Sequence, residues 1–396
     1  MKKLDTGLSS VEGFSFSAVQ AGIRYENRLD FSLIYSSKPC NASGMFTTNR
    51  VFAAPVKICK ERIGNAIHGI LVNSTNANAC TGENGVRTAE MLLSEAENLT
   101  KSPAASFLNA STGIIGRQLP GEKMKHALPD LVKGLSAANG DIIPRAIMTT
   151  DTKPKSAAFS FTTSKGEFAV AGTAKGSGMI APNMATLLTF VITSAPVAKK
   201  NLDEIFRRVV EKTYNAITID GDMSTNDTAI VLSPQSGENL SSAEDLAAFE
   251  EALNAVCTDL SYQLVRDAEG GTKCVTVKVH GAKSASDAKL CAKSISQSLL
   301  VKTAFFGNDP NWGRIACAAG YSGADFKMEE IDVSIEGIAL LEAGQPFETD
   351  IKTLEAVMKR PEYTIDVTIG KGGHSFTFLT SDISYDYVKI NAEYST

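Results

Sequence analysis

The run Lys175-Gly176-Ser177-Gly178-Met179-Ile180-Ala181-Pro182-Asn183-Met184-Ala185-Thr186-Leu187-Leu188-Thr189-Phe190 places a hydroxyl residue where a glycine-rich loop turns into a β-branched, apolar stretch. Thr186 to Thr193 reads as a buried strand that opens on that hydroxyl. Scission of the Ala185–Thr186 bond would give Thr186 a free α-amine beside its own side chain. An N-terminal amine titrates near ~7.7–8.0, so it can act as a base at neutral pH. Nucleophile and base then belong to one residue. Gly176 and Gly178 permit unusual backbone angles and Pro182 stiffens the turn, as a scissile bond would need. Taken alone, a threonine opening a strand is an ordinary β-branched residue.

Other residues have the chemistry to serve such a nucleophile. Lys175, on the same loop, can hold a substrate carboxylate or lower an amine's pKa by like-charge repulsion; on a plain loop it would be a solvated charge. Ser111-Thr112-Gly113 ends a predicted strand, and a Thr hydroxyl with a Gly amide suits a developing oxyanion. Asp267-Ala268-Glu269-Gly270-Gly271-Thr272-Lys273 reads as a helix end, and Glu269 can meet an ammonium group. Thr218 to Thr228 is acidic but lacks the closing glutamate of an EF-hand loop. Gly307 to Arg314 carries the single tryptophan and reads first as a turn. The glycines at 172, 176 and 178 lack the spacing of a phosphate loop.

The elements that must position these residues mix strands and helices throughout. Strands are expected at 12–19, 30–36, 69–73, 105–110, 274–280, 331–336, 363–369 and 374–379, with a hairpin over 157–172 and a tight turn at Lys371-Gly372-Gly373. Helices are expected near 84–98, from an Asn201 cap with Glu204 three residues on, over 242–266 and over 285–300. The tail Asn391-Ala392-Glu393-Tyr394-Ser395-Thr396 would ordinarily fray. The expected fold class is α/β with stacked sheet and helix layers. A boundary near 280 divides a larger domain, 1–280, from a smaller C-terminal α/β domain, 281–396.

Composition narrows the function classes. The chain has 396 residues, 43% hydrophobic and 21% charged, with net charge −5, as in an ordinary globular enzyme. No basic patch suggests a nucleic-acid partner, and no apolar run suggests a membrane span or a signal peptide. Seven scattered cysteines without a CxxC point to reduced thiols in a cytoplasm. Four isolated histidines form no metal-ligand spacing, so no metal is expected.

These segments together resemble the ornithine acetyltransferase family of arginine biosynthesis, whose members are also called bifunctional glutamate N-acetyltransferase/amino-acid acetyltransferase. The resemblance spans nearly the whole chain. It runs through Phe46-Thr47-Thr48-Asn49, Asn76-Ala77-Asn78-Ala79-Cys80-Thr81-Gly82, Thr112-Gly113-Ile114-Ile115-Gly116, Met148-Thr149-Thr150-Asp151-Thr152, the 175–186 segment, Asp309-Pro310-Asn311-Trp312-Gly313-Arg314 and the NAEYST tail. Leu187, and Ala268 and Gly271 around Glu269, depart from the pattern without removing a reacting group.

The resemblance implies an N-terminal-nucleophile-like fold and self-cleavage between Ala185 and Thr186 into chains 1–185 and 186–396, assembled as α2β2. Thr186 would be the nucleophile and Thr112 with Gly113 the oxyanion hole. Thr152, Lys175, Thr186, Glu269, Asn391 and Thr396 would bind substrate, with Thr149 and Thr150 close enough to Thr152 to exchange roles with it. It implies acetyl transfer from N2-acetylornithine to glutamate with no cofactor, acetyl-CoA being an optional co-substrate. Rival readings are an aminopeptidase or amidase of related fold and a small-molecule-binding protein that never cleaves.

Overall fold

The β-branched run behind the glycine loop becomes the strand Leu188–Thr193, buried at every position. Its side chains serve two cores. Val191 packs on one side with Phe206, Val209, Phe249 and Leu253, while Leu188, Phe190 and Ile192 pack on the other with Phe16, Ile70 and Leu108. A strand covered on both faces cannot alternate apolar with polar, which is why the run reads as continuously hydrophobic.

The structure, a computed structural model, describes residues 1–181, 187–349 and 351–393. In chain order its strands are β1 (Lys2–Lys3), β2 (Phe14–Val19), β3 (Phe31–Phe46), β4 (Ile67–Asn73), β5 (Phe107–Ser111), β6 (Lys155–Thr163), β7 (Gly166–Lys175), β8 (Leu188–Thr193), β9 (Ile217–Thr218), β10 (Thr228–Pro234), β11 (Cys274–Ala282), β12 (Ile331–Ile335), β13 (Ile338–Glu342), β14 (Gln345–Pro346), β15 (Glu362–Ile369) and β16 (His374–Ser381). Among the described residues they form two sheets. One runs β1-β6-β7-β8-β10-β3-β4-β5, with β2 also on β3; the other runs β14-β13-β12-β15-β11-β16-β9. In the first sheet β8 pairs antiparallel with β7 and parallel with β10, and β10 pairs antiparallel with β3.

Helices cover the apolar faces. Lys199–Lys212 and Ala243–Arg266 pack on one face of the first sheet. Gly82–Thr100 and Gly121–Lys133 cover Phe31, Leu33, Leu71 and Phe107 at its far end. The second sheet packs against Ala285–Gln297, Leu299–Phe306 and Trp312–Gly320. The chain thus adopts the layered α/β fold class expected from its sequence.

Several boundaries differ from expectation, each for a tertiary reason. Helix Lys199–Lys212 starts from Ala198, not Asn201. Ser233 Oγ accepts the Val197 N–H at 2.8 Å, and this contact sets where the chain leaves the sheet. The helix expected over 285–300 breaks at Ser298, whose hydroxyl caps a second helix and accepts from Val301 N–H. The break turns Val301 and Phe305 into the core of the second sheet. Residue 280 lies inside β11, which pairs along its length with β15 and β16. The chain enters the second sheet at β9, returns to the first at β10 and rejoins the second at β11, so no change of sheet falls at 280. Residues 391–393 of the tail close helix Tyr385–Glu393 rather than fray, and 394–396 lie outside the described residues.

Phe190 is wholly buried at the centre of the first sheet. Replacing Phe190 with Ala is expected to lower the unfolding free energy by about 3–5 kcal/mol. Leu290→Ala, at a site 41% exposed, should change it by less than about 0.5 kcal/mol. Urea unfolding followed by far-UV circular dichroism checks both.

Candidate active site

The sharpest backbone constraint lies where β5 ends. Thr112 N–H donates to Asn73 O at 3.0 Å and Ile114 N–H to Thr75 O at 3.3 Å. Between them Gly113 has φ +134°, and a Cβ there would stand 2.1 Å from the Thr75 carbonyl carbon. Only glycine lets the two segments come this close. Among the described residues no group accepts a hydrogen bond from the Gly113 N–H.

Asparagines hold this crossing because an amide side chain can both donate to and accept from loop backbone. Asn73 Nδ2 donates to Asn76 O at 2.8 Å, and Asn73 Oδ1 accepts from Ser111 Oγ at 2.6 Å. Asn226, just before β10, donates to Ala77 O at 2.6 Å and Ser111 O at 2.8 Å. It thereby clamps the 73–81 loop to the end of β5.

A cavity open to solvent lies beside this crossing. Its lining includes Thr112, Gly113, Thr149, Thr150, Lys175 and Glu269, with Ser224, Thr225, Asn226 and Asn391 completing the polar wall. The structure thus brings five of the sequence-predicted site residues to one place: Thr112, Gly113, Lys175, Glu269 and Asn391. Ala185, Thr186 and Thr396 lie outside the described residues. Leu187, next in the chain after Thr186, is buried, and its carbonyl accepts from Thr228 N–H at 3.0 Å.

Thr152 is placed elsewhere. It is exposed, its N–H donates to Asp267 at 3.0 Å, and its hydroxyl donates to the same carboxylate. Thr149 and Thr150 line the cavity in its stead. Asp267 ends helix Ala243–Arg266 and draws Thr152 to itself, a contact across 115 positions that residue spacing does not reveal.

Lys175, the last residue of β7, is only 4% exposed. Its Nζ donates to Thr149 Oγ1 at 2.6 Å and Thr112 Oγ1 at 3.3 Å, and lies 3.8 Å from Asp151. Burial pulls its pKa below the ordinary lysine value. Asp151 opposes this, Lys155 adds to it, and Glu269 opposes it in turn.

Asp151 is central to this wall. It accepts from Lys155 Nζ and Gly176 N–H, both at 2.7 Å, and from Thr149 N–H at 3.0 Å. Burial pushes its carboxyl up, but Lys175 and Lys155 together outweigh burial and hold it well below the usual carboxylate range. Lys155 Nζ also donates to Asp267 at 2.6 Å. On the opposite side of the glycine loop, Asp220 accepts from Ile180 N–H at 2.8 Å and from Met179 N–H. The acidic 218–228 segment thus holds loop backbone.

Glu269 is fixed by Asn391 Nδ2, which donates to its Oε2 at 2.9 Å, and by its own N–H on Ser177 O at 2.8 Å. Gly178 leaves room for this carboxylate: a Cβ there would lie 2.5 Å from Oε2. The 307–314 segment takes no part in the cavity lining. Asn311 caps helix Trp312–Gly320 through Arg314 N–H at 3.1 Å. Among the described residues, no cluster of three or more His, Cys, Asp or Glu could hold a metal. No helix among them is long and apolar enough to cross a membrane.

Comparisons with known proteins cover nearly the whole chain in sequence. The profile of the ArgJ family matches residues 15–396. The arginine biosynthesis bifunctional protein ArgJ of Geobacter sulfurreducens is 44% identical over 392 residues, spanning 98% of this chain and 100% of the relative. The protein of the same name from Caldanaerobacter subterraneus subsp. tengcongensis is 43% identical over 405 residues, spanning 100% of both. Among solved structures, arginine biosynthesis bifunctional protein argJ from Bacillus halodurans is 38% identical. It covers 51% of this chain and 96% of its own, with a TM-score of 0.48.

Asp227 adjoins the cavity wall and offers a pH test of the site's burial. It is 1% exposed, and neither carboxyl oxygen makes a hydrogen bond of ordinary geometry. Burial pushes its pKa well up, with Leu187 N–H, Thr47 and Lys175 opposing only in part. Above the unfolded carboxyl value near ~3.9, the unfolded chain ionises first. Stability is then lost as pH rises toward the folded value. Asp227→Asn removes that loss, so its melting temperature relative to the parent should climb from pH 4 upward. A flat difference across pH would show the carboxyl already charged in the fold.

Proposed function

This chain belongs to the ArgJ family, and from that premise we propose that it moves an acetyl group from N2-acetylornithine to glutamate through an acetyl ester on Thr186. The reading is supported above all by one cavity that gathers a threonine hydroxyl, a glycine N–H without an acceptor among the described residues, a buried ammonium and a carboxylate. Acyl transfer needs the first pair and amino-acid recognition the second.

Maturation comes first. Thr186 Oγ attacks the Ala185 carbonyl carbon, the C–N bond breaks, and the hydroxyl proton ends on the released amine. Water then hydrolyses the ester, leaving Ala185 as a carboxylate and Thr186 with a free amine and hydroxyl. Strands on both sides of the cut alternate within one sheet, β7 beside β8 and β10 beside β3. The two chains therefore stay interleaved, and two such pairs make the α2β2 assembly.

In the transfer cycle, Thr186 Oγ attacks the acetyl carbonyl of N2-acetylornithine. The Thr186 amine passes the proton to the departing ornithine nitrogen. The oxyanion is met by the Thr112 hydroxyl and the Gly113 N–H. Glutamate then enters, and its α-amine takes the acetyl group from the ester, a ping-pong exchange. Lys175 receives the α-carboxylate that both amino acids share. Glu269, steadied by Asn391, receives the ornithine side-chain ammonium. Acetyl-CoA serves the same ester as a second donor, and the enzyme works in the cytoplasm with its thiols reduced.

Thr186→Ala should remain a single uncut chain without transferase activity; a cut and active variant overturns the assignment. Thr112→Val keeps the shape but removes the hydroxyl, and should lower kcat by about 10²–10³-fold, with self-cleavage slowed as well. Ornithine release assayed with and without glutamate separates transfer from hydrolysis. Release that ignores glutamate identifies a hydrolase instead.

A further inference from the structure

Asp151 touches both walls that carry the cavity's polar groups, yet it does not line the cavity. One oxygen accepts from Gly176 N–H and Lys155 Nζ. The other accepts from Thr149 N–H and faces Lys175 Nζ at 3.8 Å. Its side chain is fully enclosed. Through Lys155 it is tied to Asp267, which holds Thr152 at the other end of the 149–152 segment. Two carboxylates and two ammoniums thus form one buried set, and three of the four charges point away from the cavity. Only Lys175 presents its charge to the cavity.

We propose that Asp151 is the positioning residue of this enzyme: it fixes the direction of the Lys175 ammonium and the Thr149 hydroxyl, and sustains the charge with which Lys175 meets a substrate carboxylate. The role rests on the acetyl-transfer reading above. An aspartate is suited to it because both oxygens accept, and four donors surround them. An asparagine at 151 would turn its NH2 toward donors and withdraw the negative charge. A buried ammonium deprived of its facing carboxylate gives up its proton more readily. The charged and titratable groups that act on Lys175 are Asp151, Lys155, Glu269, Arg28 and Asp227. Asp151 is the strongest of those that keep Lys175 protonated.

The first measurement needs no activity. Brief exposure to isotopically labelled acetic anhydride across a pH series, followed by peptide mapping, gives the pH of half-maximal Lys175 modification. In Asp151→Asn that pH should fall below the parent's. In steady-state assays the same variant should lose about 10²-fold in kcat/KM for N2-acetylornithine, as expected for a displaced binding group. The alkaline limb of its pH profile should move to lower pH. A parent-like labelling profile together with parent-like kcat/KM overturns the role of Asp151 alone. A parent enzyme that transfers no acetyl group to glutamate overturns the functional reading and the reaction role with it, whatever the labelling shows. If D151N does not fold, Asp151→Glu carries the test, because it keeps the charge while shifting the oxygens by one methylene. D151E should label like the parent yet lose kcat/KM, and undiminished kcat/KM there overturns the proposal.

Discussion

A buried ammonium facing a buried carboxylate is the interaction on which the rest of this cavity depends. Lys175 stands at the last position of a central strand, where water scarcely reaches it. Removing a charge from water is unfavourable by several kcal/mol unless an opposite charge and hydrogen bonds replace the solvent. Asp151 supplies the charge, and the Thr149 and Thr112 hydroxyls supply acceptors. Lys155 and Asp267 then neutralise what remains. The arrangement keeps a cation ready for a carboxylate without leaving it loosely solvated, which suits the proposed recognition of an amino-acid carboxylate.

The second constraint is steric. Gly113 passes so close to the Thr75–Asn76 backbone that no side chain fits. Among the described residues its N–H has no acceptor at the cavity edge, where an oxyanion can be received. The surrounding loop accepts left-handed backbone at Thr75, Asn78 and Cys80, all non-glycine. Such strain persists because side-chain amides from Asn73, Asn76, Asn78 and Asn226 tie the loop at many points. The asparagine-rich stretch that looks like an ordinary loop in the sequence is therefore the scaffold of the candidate oxyanion site.

Much of the fold was legible because burial leaves a period. The continuous apolar run of β8, the alternation in β15 and the wide stripe of helix Ala243–Arg266 all announce themselves. Helix Gly121–Lys133 does not, since Pro129 sits within it, and helix Tyr385–Glu393 has no buried stripe. Of the site, the residues carried by local motifs could be named in advance. The network behind them could not: Lys155 and Asp267 are 112 positions apart, and nothing local pairs them. The same distance effect hid the partner of Thr152 and so obscured which threonine of the 149–152 segment meets the cavity.

The central claim is that this cavity works through an acetyl ester on the threonine that follows Ala185. Intact mass analysis of the purified protein, denatured within the first turnover after mixing with N2-acetylornithine and without glutamate, tests it most directly. The account predicts two chains, 1–185 and 186–396, with the second heavier by one acetyl group that maps to Thr186 and disappears when glutamate is added. A single chain, or two chains that release ornithine while the second never gains an acetyl group, would contradict it.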